Sequence, residues 1–431
     1  MTESKDLLEF NTALRQFVQE ACAILSEAGV AVHRWTQIVR EEKGWSFPED
    51  ERPDYPKTSF LLIRKFHEKP LASLLKIMDI VRNVPDLSNA FLVDAGGNPI
   101  HEEKMQLHWL TSALAGRFIC KYLEKAMKIE FDEEAFITVL TQLQQNIRSP
   151  IITVREVSPL INVSMNCERI IIARHLVIRR LTLNELEKWL NTYLMYPFLS
   201  SPIVDVTQLD CAIEVTYEKQ RNQAWGSNHE IRIGTDDLVT TLRLLTDKNI
   251  YIAFTVSDSD DILQSSGYIA SSLRPRLLGQ SANLAAYIQE DIIDACKCIR
   301  SLPNENPVRL ALRRWNSVFE RFDEDDALID YWIALEGLFV PDTFQELRHR
   351  SAFRIGAYLG ETPDQREQVY KDLLDSYDLR SKIVHGGVPT NKRKTELINI
   401  TRSYLRRSLV QILSSIDRFD PRTIEIERLR K

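Results

Sequence analysis

Apolar residues at Leu7, Leu8, Leu14, Phe17, Val18 and Ala21 recur at the spacing of one helical face and predict helical structure through residues 1–42. Pro48, Pro53 and Pro56 break the pattern and read as an extended loop. Helical periodicity resumes over about 60–82, 102–127 and 132–147, with Ala95-Gly-Gly-Asn-Pro as a turn between the first two. After Ser149-Pro150 the period changes. Ile151-Ile-Thr-Val-Arg-Glu-Val and Cys211-Ala-Ile-Glu-Val-Thr-Tyr-Glu alternate and are rich in β-branched residues, so both predict strands. Residues 169–180 hold two more strand-like runs, and 250–256 another. Thr182, with Glu185 three residues later, predicts a capped helix start, and 236–245 a short helix.

From about Asn283 strand signals stop. Helices are predicted over 284–300, 307–322, 325–340, 344–359, 363–385 and 393–418, with Pro303, Pro307, Pro341, Pro363 and Pro389 at the junctions, where proline starts or stops a helix without breaking one. The expected fold class is helix-rich α+β. Its expected parts are a helical N-terminal region (1–148), a mixed α+β module (149–278) and an all-α C-terminal bundle (279–431).

Composition adds little to this outline. In 431 residues, 44% hydrophobic and 27% charged side chains are ordinary for a globular protein, and only 14 glycines favour helix. The N-terminus lacks the basic and apolar stretches of a signal peptide, and the longest apolar runs fall far short of a membrane span, so a cytoplasmic protein with no membrane partner is expected. Six scattered cysteines, with no C-x-x-C pair, read as reduced thiols, and neither a metal nor a cofactor is expected.

Charge changes the picture more. The chain carries a net charge of −6, yet between Arg380 and Arg418 nine Lys and Arg face only Glu396 and Asp417. Such asymmetry can guide a polyanion.

The most informative stretch is Tyr377-Asp-Leu-Arg-Ser-Lys-Ile-Val-His-Gly-Gly-Val-Pro. It reads as a helix ending at His385, with Gly386 free to take the left-handed conformation and Pro389 preventing continuation. Arg380 and His385 form an Arg-x4-His pattern. Arg169-x5-His175 matches the same loose pattern, but it falls in a strand-like run and is set aside. Three consecutive segments give the first match its context. Asp326-Ala-Leu-Ile-Asp-Tyr-Trp-Ile-Ala-Leu-Glu-Gly-Leu-Phe, His349-Arg-Ser-Ala-Phe-Arg-Ile-Gly-Ala-Tyr-Leu-Gly and the Arg380/His385 helix together resemble the Apea-like branch of the HEPN superfamily. Thr241-Leu-Arg-Leu-Leu and Val177-Ile-Arg-Arg-Leu-Thr resemble segments that precede this domain in such proteins. The resemblance spans about 150–431 and is strongest from 307; it does not extend to residues 1–148.

The resemblance implies a metal-independent endoribonuclease. In that chemistry the RNA 2′-OH attacks the adjacent phosphorus, so DNA is not cut. His385 would be the acid/base, since imidazole titrates nearest neutrality, and Arg380 the clamp on the phosphoryl oxygens. It further implies a homodimer that assembles the site from both protomers, a role in prokaryotic antiviral defence by abortive infection, and an upstream trigger or regulatory partner. The alternative is a non-catalytic HEPN module that binds RNA or nucleotide, or only dimerises. Glu336 falls on a helical face with Ile329, Trp332, Ile333 and Val340, where a carboxylate needs a partner: Arg380, or a basic residue of 348–354. Ser381 occupies a position that is often polar in the family. Lys382, Lys392, Arg393 and Lys394 are candidate RNA-phosphate contacts. HEPN partners of nucleotidyltransferase antitoxins carry Tyr three residues after the His; Val388 stands there instead, against a toxin of that type.

Overall fold

The computed structural model describes residues 5–42, 44–94, 98–192, 209–221, 229–263, 267–270, 281–285, 288–321, 323–341, 345–387 and 393–425. Among these the protein is a helix-rich α+β fold. No helix of the described residues is long and apolar enough to cross a membrane. All six cysteines carry free thiols.

The N-terminal part begins with α1 (Lys5–Ala28), which buries Phe10, Leu14, Phe17, Val18, Ala21 and Leu25. The helix stops at Gly29, in the left-handed region at φ +78°, short of the expected residue 42. Strands β1 (Val32–Thr36), β2 (Val39–Glu41), β3 (Gly44–Ser46) and β4 (Glu49–Pro53) follow, where helix and then loop were expected. β1 pairs with β4 and β2 with β3, all antiparallel. These strands are short and largely exposed, so they show little of the apolar alternation from which a strand is read.

α2 (Tyr55–Glu68) starts earlier than expected: Asp54 caps it by accepting the Lys57 amide, and Pro56 sits in the first turn. Pro70 then separates it from α3 (Ala72–Asn83), dividing the single helix expected over 60–82. α4 (Pro85–Phe91), α5 (Glu103–Thr111), a π-helical stretch at Ser112–Phe118, α6 (Ile119–Ala126) and α7 (Glu133–Arg148) complete this part. Its helices enclose their own apolar core, which Ile262 and Leu263 of the next part enter.

The middle part holds β5 (Ile151–Ile161), β6 (Val163–Met165), β7 (Arg169–Ala173), β8 (Leu176–Arg180), α8 (Leu183–Thr192), β9 (Cys211–Gln220), α9 (His229–Thr246), β10 (Tyr251–Ile252), β11 (Phe254–Ser259), β12 (Gly267–Ala270) and β13 (Ala282–Leu284). A seven-stranded antiparallel sheet runs β12-β11-β5-β9-β8-β7, with β10 also on β5. β13 pairs parallel with β6 and runs to Leu284, so the helix expected from 284 starts five residues later, at Gln289. The expected cap of α8 is present: Thr182 Oγ1 accepts the Glu185 amide and the Glu185 carboxylate accepts the Thr182 amide.

The C-terminal part comprises α10 (Gln289–Ser301), α11 (Pro307–Val318), α12 (Glu324–Phe339), α13 (Leu347–Leu359), α14 (Pro363–Val384) and α15 (Lys394–Leu413). Six helices were expected here; their order matches, as do the junctions at Pro303, Pro307, Pro341 and Pro363, while Pro389 lies outside the described residues. They form a helical bundle with α12 buried on nearly all sides. One apolar core joins α11–α15 to α8 and to the sheet face that carries Val157, Ala212 and Phe254. The other sheet face, with Ile170, Ile178 and Ile213, packs on α9 and α10.

Buried Arg243 links the middle and last parts. Its Nε donates to the Ile250 carbonyl at 2.8 Å, and its guanidinium lies 5.1 Å from the Tyr251 ring and 4.8 Å from Phe319. Burial pushes its pKa down to about 10.

Candidate active site at the end of α14

α14 is fixed at both ends. Thr362 and Gln365 make a capping box at its start. At its finish the Gly386 amide donates to the Ile383 carbonyl at 3.0 Å, and the Gly387 amide to Lys382 at 2.8 Å. This is the Schellman pattern, with His385 as last cap and Gly386 at φ +72°. A Cβ at Gly386 would meet nothing within 4 Å, so an alanine there strains the backbone alone. Gly386→Ala is expected to cost about 1 kcal/mol, the left-handed penalty of an L-residue, read by urea unfolding.

The termination presents His385 to solvent, and Lys382 is likewise exposed. Ser381 is half-buried, and its carbonyl accepts the His385 amide at 3.1 Å. Arg380, five residues before His385, is turned about 140° from it by helical geometry. One Arg380 terminal nitrogen lies 3.9 Å from a Glu336 carboxylate oxygen, with the two side chains 23% and 19% exposed. Its guanidinium also lies 5.5 Å from the Tyr377 ring. A separation of 3.9 Å orients the guanidinium electrostatically but is too long for a hydrogen bond. Arg380 Nε is buried and has no hydrogen-bond partner among the described residues, and the same holds for Glu336 Oε1. Burial lifts the Glu336 carboxyl above its ordinary range, more than Arg380 and Tyr377 bring it down.

Glu336 sits on the half-buried side of α12 with Ile329 and Ile333, whereas Trp332 and Val340 are buried. The expected apolar face is thus split: Trp332 and Val340 enter the core, while Ile329, Ile333 and Glu336 lie on the less covered side of the helix. Of the two partners considered for Glu336, Arg380 is the one beside it. Arg354 is buried elsewhere, donating to Glu425 at 2.8 Å and to the Phe339 carbonyl at 2.7 Å. Arg348 holds Asp378 through two bonds of 2.7 Å and pins α13 to α14 next to Arg380.

The basic stretch is less free than its charge count suggests. Arg393 pairs with Glu396 at 3.0 Å and reaches Asp375 at 3.6 Å, while Lys394 holds Asp325 at 2.6 Å. Arg402 pairs with Asp247 at 2.8 Å, and Arg406 donates to the Leu244 and Leu245 carbonyls at 2.6 Å. Asp325, Asp375 and Asp247 come from outside the stretch, so counting along the chain misses them. Lys392 and Val388 lie outside the described residues.

Sequence reasoning missed Tyr377. A helix places residues three apart on one face, so its position before Arg380 was the available signal. It also missed the polar chain beneath. Trp332 Nε1 donates to Ser376 Oγ at 3.0 Å, Ser376 lies 2.5 Å from Thr401 Oγ1, and Thr401 donates to the Leu397 carbonyl at 2.7 Å. Trp332 meets the Tyr377 ring edge to face, with centroids 4.9 Å apart. The layer under Arg380 is therefore locked by packing and by hydrogen bonds.

Comparison with protein-family models, with curated proteins and with solved structures returned no match to this chain.

Proposed function

We propose that the chain is a metal-independent endoribonuclease of the HEPN type. The observation that carries this reading is the pairing, at the end of α14, of a solvent-facing His385 with an Arg380 oriented by Glu336 and Tyr377 but not hydrogen-bonded to either. A guanidinium so held keeps donors for an incoming phosphodiester. The 2′-OH attacks the adjacent phosphorus and expels the 5′-oxygen, leaving a 2′,3′-cyclic phosphate. His385 moves the proton at one of those two oxygens, and Arg380 stabilises charge on the non-bridging oxygens. Because the two side chains diverge around the helix end, a second protomer brings its own pair to complete acid, base and clamp; the active form is a homodimer.

The reading extends to a cytoplasmic protein of prokaryotic antiviral defence, acting by abortive infection and held off until the upstream parts meet a trigger. The test is incubation of the purified chain with single-stranded RNA in EDTA. Cyclic-phosphate ends are expected on RNA and no cutting of DNA. RNA left intact by a protein that is also harmless when expressed would overturn the proposal.

A further inference from the structure

A groove far from α14 in sequence has the chemistry of a nucleic-acid track. Two clefts, of about 790 and 920 Å³, share Glu168 and Arg180 as a common wall and so form one trough around the start of α8. The trough lies between the N-terminal strands and the sheet. Thr36 and Asn191 exchange two hydrogen bonds of 2.8 Å, and the Ile38 amide donates to Glu187 at 2.9 Å, fixing those strands to α8. Trp35 of β1 lines one cleft and Trp45 of β3 the other. Each indole carries an arginine: Arg52 lies 5.1 Å from the Trp35 ring and Arg40 5.8 Å from Trp45. Trp35 Nε1 is buried and has no hydrogen-bond partner among the described residues.

The floor is an ion network between β5, β8, β9 and the first turn of α8. Arg179 holds Glu185 at 2.6 Å and Glu214 at 2.7 Å, and Arg155 reaches the same two carboxylates at 3.0 and 2.8 Å. Burial alone would raise the Glu185 carboxyl, but the bonds from Arg179 and Thr182 outweigh it and leave it at about 2. The floor is therefore charge-balanced and preformed. Arg180 is matched by Asp210 at 3.1 Å. Arg40, Arg169 and Lys188 enter no ion pair among the described residues, with Glu168 the remaining acid of the wall. Free cations along a channel with aromatic rings at separate positions suit an extended polyanion whose bases can stack. A single nucleotide would leave one cleft and one indole unused.

We propose that this trough binds single-stranded RNA, with Trp35 and Trp45 as stacking surfaces and Arg169 and Lys188 as phosphate contacts, as an exosite for the substrate of the nuclease. This rests on RNA being the substrate, so the test reads binding rather than cutting. The probe is a fluorescein-labelled 2′-O-methyl oligouridine 12-mer, which lacks the nucleophile, followed by anisotropy on the full chain across a salt series.

Arg169→Glu combined with Lys188→Glu, both exposed, is expected to weaken binding at least 10-fold and to flatten the dependence of log K on log salt by about 1.4. Trp45→Phe should retain most binding and Trp45→Ala should lose about 5-fold or more. Unchanged affinity in the charge-reversed, folded variant would overturn the proposal. So would full displacement of the oligomer by 1 mM ATP, which would mark a mononucleotide site. Cutting of unmodified RNA is followed in parallel. Lost cutting with intact trough binding counts against the nuclease alone, and neutral trough variants in a cutting protein count against the trough alone.

Discussion

His385→Ala is expected to abolish RNA cleavage, lowering the single-turnover rate by about 10³-fold, the usual worth of a positioned acid/base. The residue is exposed at the end of a helix whose capping does not use its side chain, so the variant should keep its melting temperature within error. Arg380→Ala is expected to cost about 10² to 10³-fold, as for loss of a donor to developing charge. Arg380→Lys should recover little, because an ammonium cannot present two parallel donors and loses the guanidinium that lies 5.5 Å from the Tyr377 ring. The pattern that matters is a loss of rate with little change in RNA affinity. Cleavage by His385→Ala at the wild-type rate would mean that the active site lies elsewhere.

The second large effect is on stability. Trp332→Ala should destabilise the protein by about 4 kcal/mol, seen as an earlier midpoint in urea at constant slope. The indole is fully buried, and removing it opens a void against Tyr377 and leaves the Ser376–Thr401 pair without its outer donor. Trp332→Phe keeps most of the volume and should cost about 1–2 kcal/mol, the price of one buried hydrogen bond. Because Tyr377 rests on this ring, the phenylalanine variant should also cut RNA more slowly at full occupancy. A stable Trp332→Ala protein would contradict the packing described for α12.

Acid sensitivity should trace in part to Glu185. Its folded-state pKa is about 2 against an unfolded value near 4.5. A carboxyl depressed in this way contributes stability that is present above 4.5 and is lost as pH falls towards 2. Allowing for solvent screening at a partly exposed group, the contribution is roughly 2 kcal/mol. Glu185→Gln should therefore lower stability at pH 7 by that amount and flatten the fall between pH 4.5 and 2 in urea titrations.

Much of the C-terminal architecture was legible because its signals are local. Prolines stand at the junctions, amphipathic periods run long, and a glycine follows His385 where the helix must stop. The start of α8 was readable for the same reason, since Thr182 and Glu185 are three residues apart. What escaped were features made by distant pairing. The strands β1–β4 carry no strong alternation and are held by partners such as Asn191, more than 150 residues away. The helix expected from 284 begins only at Gln289, because β13, which runs to Leu284, takes the edge that β6 offers.

The same limit applied to the site. Arg380, His385 and Glu336 could be named from pattern, and Arg380 could be offered as the partner of Glu336. The basic stretch could not be discounted, because Asp325, Asp375 and Asp247 come from other segments to meet it. The groove at α8 was invisible for the same reason: Arg169 was noticed only as a chance match beside His175, and its neighbours come from four strands and a helix.

The apolar core that runs without a seam from the sheet into α11–α15 sets a limit on rearrangement. A gene fragment encoding only the last helices would yield a bundle with a greasy flank where Val157, Ala212 and Phe254 now sit. It is not a cassette to be lifted out and grafted onto another scaffold; whatever these helices do, they do with the strands attached.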